Sequence, residues 1–243
     1  MCDALVWSFD TITAINWLEV IKALAPVATA VIAFIALRNW RRQDKAKREA
    51  EFLDALIEAT HTYIAEMPEP ITLLEMAKIG MASHAPTWEN GEQADIAVKG
   101  AIAYIQKNGE REAKRLLEVL EAVGPSVIKL RSLAAKGQIF RFDGYAKCRN
   151  AVATLTWHFD RIEAFMAVIA SPTWNWEHPK VLKHLKDMMA IDPDEIRKSV
   201  QENNVALLEF ASETYGRVYG GVNRRHFSGR QKREGEIPGM PSF

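Results

Sequence analysis

Glu58 and His61 stand three residues apart in a stretch with helical periodicity, so their side chains share a face. Such a pair is half of the ligand set from which di-iron carboxylate bundles are built. The full set needs a second Glu-x-x-His and two further carboxylates. The other histidines are His84, His158, His178, His184 and His226, and three places before them stand Met81, Leu155, Asn175, Val181 and Asn223. None of these is a carboxylate, so Glu58 and His61 read as a surface pair. Neither a metal nor any other cofactor is expected. His158 has Asp160, Arg161 and Glu163 close by, a combination that can serve acid–base chemistry. Its place beside Phe159 on an apolar stripe instead reads as a flanking histidine in a polar surface network. His178 and His184 are six apart and point to different helix faces.

The chain contains no Walker loop, GxGxxG, GxSxG or HExxH. Its two cysteines, Cys2 and Cys148, are too far apart in sequence for a metal knuckle and too few for a disulfide framework. These features point away from the common catalytic classes. Two indoles in one loop, Trp174 and Trp176, read as a possible interaction site: they anchor a partner, touch a membrane interface, or fold back over the bundle end.

The charges are balanced overall, with 31 basic and 31 acidic residues, but unevenly placed. Residues 23–37 carry none. Trp17 and Trp40 bracket this run 23 residues apart, about 34 Å along a helix, close to the thickness of a bilayer. Pro26 sits near its start and Phe34 near its end. Arg38, Arg41, Arg42, Lys45, Lys47 and Arg48 follow at once against Asp44, whereas Asp3, Asp10 and Glu19 precede it against Lys22. The pattern predicts a transmembrane helix over 17–40, with residues 1–16 outside and the C-terminus in the cytoplasm. A cleaved signal peptide fits poorly, because its basic end precedes the apolar run. The alternative is a buried or interfacial helix.

After the anchor the periodicity is helical. A stripe through Phe52, Leu53, Leu56, Ile57, Thr60 and Ile64 continues to Pro68 and Pro70, which stop it. Helices are expected over 71–81, 92–107, 109–136 with a break or kink at Gly124-Pro125, 144–170, 179–190 and 192–219. The strongest pattern is Tyr145, Cys148, Val152, Leu155, Phe159, Ile162, Met166 and Ile169, in steps of three and four. It suits either the central helix of a bundle or an oligomer seam. Asp192 followed by Pro193 and Glu195 is a helix start, and Gly220-Gly221 is expected to end that helix.

The expected fold is all-α: one N-terminal transmembrane helix, a cytoplasmic helical bundle over 41–220 and a disordered basic tail over 221–243. Lys180, Lys183 and Lys186, with Arg224, Arg225, Arg230, Lys232 and Arg233 of the tail, read first as solubilising charge and otherwise suit anionic lipid headgroups; without an aromatic–basic RNA motif or helix-turn-helix, nucleic acid is not the expected partner. The expected role is non-enzymatic: at the cytoplasmic face of the inner membrane, the bundle binds a protein partner or self-associates. A membrane-perturbing effector and a membrane-tethered enzyme or ligand-binding domain are the alternatives.

Overall fold

The computed structural model describes residues 17–86 and 92–223, with side chains from Ile21 to Tyr219 except Ala23. Among the described residues there is no strand. The helices are α1 (Trp17–Glu66), α2 (Pro68–Ser83), α3 (Gln93–Phe140), α4 (Tyr145–Ile169), α5 (Pro179–Met189) and α6 (Pro193–Asn223). The chain divides into two compact units, residues 1–49 and 50–243, and α1 contributes to both.

In the second unit, α2 begins at Pro68, where the missing N–H would have had no helical partner in any case. Gly109 does not break α3: a Cβ there would come within 2.3 Å of the Ile169 carbonyl oxygen, so glycine lets α3 approach the end of α4. Gly124 and Pro125 are also taken into α3. The chain reverses after Phe140 through Arg141 (φ 54°) and Gly144 (φ 75°). Phe140 precedes this turn and Phe142 lies within it, and their ring centres lie 5.2 and 5.4 Å from that of Phe52. Asp192 caps α6 as expected, accepting from the Asp194 N–H at 2.9 Å. That helix passes through Gly220-Gly221 to Asn223, beyond the expected stop. The basic tail from residue 224 lies outside the described residues, as do residues 1–16.

Helix α4 packs against α2, α3, α5 and α6. Its seam is core: Tyr145, Cys148, Val152, Leu155, Phe159, Ile162 and Ile169 are buried and Met166 half-buried. Phe52, Leu53, Leu56 and Thr60 of the α1 stripe are buried as well.

The first unit is different in kind. Ile21, Leu24, Val27, Val31, Ile32, Phe34, Ile35, Leu37 and Trp40 are all exposed, as is Pro26. Among the described residues no helix is long and apolar enough to cross a membrane, so the expected span over 17–40 is not met by them. The uncharged stretch with described side chains, residues 24–37, would extend only about 21 Å before Arg38, and five of its residues are alanine. Upstream the sequence continues as Val20, Ile21, Lys22 and Ala23, and the side chains of residues 17–20 and 23 lie outside the described ones.

Two glycine replacements are expected to move stability in opposite directions. Gly109→Ala should cost about 1–3 kcal/mol because the carbonyl of Ile169 has to shift. Gly216→Ala, in the exposed part of α6 with nothing within 4 Å of the new methyl, should gain roughly 0.5–1 kcal/mol. Ile162→Ala, at a site with no exposure, should cost about 2–5 kcal/mol. Urea unfolding followed by circular dichroism measures all three.

Candidate functional site

Among the described residues, two places gather groups that could act on something else. The first is the surface of α1 up to residue 49. Phe34, Leu37, Arg38, Arg41, Arg42 and Lys45 fall at steps of three and four and line one shallow groove along the helix. Below it, Arg48 pairs with Asp44 at 2.8 Å and Lys45 with Glu49 at 3.6 Å. Lys47 has an interaction of its own. Arg38, Arg41 and Arg42 are exposed and have no ion pair among the described residues. The one hydroxyl in the apolar stretch, Thr29, donates to the Ala25 carbonyl at 2.8 Å and so needs no outside partner.

The second is His158. The sequence suggested a surface position, but the residue is 1% exposed. Its Nε2 lies 2.8 Å from the Ser199 hydroxyl of α6, and Asn203 donates to the Ser199 carbonyl at 2.7 Å. Burial holds the imidazole pKa below its ordinary value, and the Arg161 guanidinium lowers it further, against a smaller raising effect of Glu195. Arg161 itself stacks over the Trp157 ring at 4.6 Å and lies 3.9 Å from Glu195. A neutral histidine bonded to a serine hydroxyl resembles the first two parts of an activated nucleophile. Here the imidazole is sealed from solvent and its Nδ1 has no hydrogen-bond partner, so no third group orients it. The pair joins α4 to α6.

Other candidates are dispersed. Glu58 and His61 are both exposed, and Glu58 pairs with Lys129 at 3.0 Å. Among the described residues no group of three or more potential ligands could hold a metal. Trp174 remains 40% exposed. Trp176 is buried and donates its ring N–H to the Pro172 carbonyl at 3.4 Å, so of the two only Trp174 is exposed. Burial pushes the Cys148 thiol up to about 12, which leaves it unreactive. Lys78 of α2 caps α5, donating to the carbonyls of Met189 and Ile191. With Met81, Ala82, Ala97 and Met189 it lines a pocket of about 160 Å³. Sequence reasoning found neither the Lys78 cap nor the His158–Ser199 bond, since the partners are 111 and 41 residues apart and leave no local signal.

No family model, curated protein or solved structure matches this chain.

The depressed His158 pKa sets a pH dependence. In the unfolded chain the imidazole takes up a proton near pH 6.5, while in the folded chain it stays neutral to lower pH. Its contribution is therefore complete above pH 6.5 and is lost as pH falls below it. Between pH 6.5 and 5.5 the parent should lose up to about 1 kcal/mol more stability than His158→Gln. Urea midpoints at the two pH values test this; equal losses in both proteins would remove His158 as the cause.

Proposed function

We propose that the chain is a single-pass, membrane-anchored helical protein whose bundle works at the cytoplasmic face of the inner membrane, binding a protein partner or further copies of itself without catalysing a reaction. One observation carries this reading. From Ile21 to Trp40 the large apolar side chains of α1 are exposed all round the helix, 42% or more in each case. A helix that is apolar on every side belongs in a protein core or a bilayer. The basic flank favours the bilayer, since Arg38, Arg41 and Arg42 come directly after the apolar surface and residues of this kind stay in the cytoplasm. Lys22 is the one charge between Val20 and Leu37, and lies near enough to the helix start to reach the headgroups. A binding role is favoured by the use of polar side chains in the bundle: His158, Ser199, Lys78 and Tyr63 all bond to neighbouring helices or loops.

The full chain should remain in the membrane pellet after carbonate and high-salt washing, and deletion of residues 1–40 should release the remainder. A full-length chain that stays in solution without detergent would exclude the anchor. A reporter fused to the C-terminus should be active only in the cytoplasm, and neutralising the six basic residues from Arg38 to Arg48 should make orientation mixed.

A further inference from the structure

We infer that the face of α1 carrying Phe34, Leu37, Arg38, Arg41, Arg42 and Lys45 is a binding site for one anionic phospholipid, its phosphate held by the three arginines and an acyl chain lying along Phe34 and Leu37. The inference rests on the membrane reading above and adds a defined ligand to it.

The groove is built in the order such a lipid requires. Arg38, Arg41, Arg42 and Lys45 stand at i, i+3, i+4 and i+7, a single cationic stripe about 10 Å long. Phe34 and Leu37 continue the same stripe by one turn toward the apolar end of the helix, and both are exposed, at 66% and 42%. Toward the N-terminus of the helix, the face therefore changes from charged to apolar, as a phospholipid does from headgroup to chain.

The charges are also available. Asp44 is committed to Arg48 and Glu49 to Lys45, so neither neutralises the three arginines. An unpaired guanidinium presents a fork of N–H donors that matches two phosphate oxygens, which an ammonium cannot do. Three of them within about one turn of helix form a site for a phosphate diester, beyond the general attraction that any basic segment has for an anionic surface. Lys47 and Arg48 do not line the groove and serve as its control.

The test uses the full-length protein in a non-ionic detergent, with bound lipid counted by native mass spectrometry. Phosphatidylglycerol should give a discrete one-to-one adduct. Phosphatidylcholine, with the same phosphate but no net charge, should bind about tenfold more weakly or worse, and water-soluble glycerol phosphate should not displace the lipid at equal concentration. The triple variant Arg38→Gln, Arg41→Gln, Arg42→Gln should lose the adduct by about tenfold or more, while the pair Lys47→Gln, Arg48→Gln keeps it. Replacement of the three arginines by lysine, which conserves charge, should still weaken it. The inference is overturned if the adduct survives in the glutamine triple, if the lysine triple binds like the parent, if phosphatidylcholine binds as well, or if glycerol phosphate competes equally. Carbonate extraction of the same proteins separates the two levels. A glutamine triple that pellets with membranes but carries no lipid supports the site, a parent that pellets but carries no defined lipid removes the site alone, and a parent that does not pellet removes the anchor with it.

Discussion

Helix α4 has to satisfy several neighbours at once, and the bundle follows from that requirement. A two-helix seam buries only the residues at steps of three and four. Helix α4 also buries Ala151, Thr156, His158, Phe165 and Val168 beside its seam. The buried arc is wide because α2, α3, α5 and α6 all pack against it. This width decides between the two roles open to the seam: the stripe is the core of this chain's own bundle. Gly109 shows how tight the arrangement is, since α3 comes so close to the end of α4 that a single methyl has no room.

Apolar contact alone leaves helices free to slide, and the buried hydroxyls limit this. Tyr63 of α1 donates to the Leu155 carbonyl at 2.6 Å, and Tyr145 of α4 donates to the Ala134 carbonyl of α3 at 2.6 Å. Each hydroxyl is buried, and losing its acceptor would strand a polar group in the core. Burial raises both phenol pKa values, so the protons that make these bonds stay in place across the physiological range. The ion pairs on the outside do less. Arg131 and Asp160 meet at 2.7 Å but are about half exposed, and such pairs contribute roughly 0–1 kcal/mol.

Periodicity made most of this fold legible. The α4 stripe, the α1 stripe and the Asp192 cap lie where their spacing put them, because each depends on residues within a turn or two of one another. The misses have a common cause. Separate helices are expected over 92–107 and 109–136, with a break or kink at Gly124-Pro125, yet α3 runs from Gln93 to Phe140 without a break, because tertiary packing holds glycines and a proline that local propensity would reject. His158 looked like a flanking residue because one apolar stripe accounts for one neighbouring helix, and the sequence of α4 says nothing of a further helix, α6, covering the next position. Trp174 and Trp176 share a loop without a helical period, and only the fold decides that Trp176 turns inward while Trp174 does not.

The two units answer opposite physical demands with the same secondary structure. In the described part of residues 50–243 each helix hides one side and shows the other, which is the arrangement of a helix between core and water. In residues 21–40 there is no such division: Leu24, Val27, Val31 and Phe34 on one face are exposed together with Ile32, Leu37 and Trp40 on the others. Water would penalise that surface at about 25 cal/mol for each Å². Its one hydroxyl does not soften the contrast, since Thr29 turns back onto the Ala25 carbonyl. Guanidinium groups follow that surface directly, and on the proposed membrane reading they would meet the headgroup phosphates. Arginine suits that position better than lysine because its planar, weakly hydrated head can bond to phosphate while its stem stays against the apolar surface.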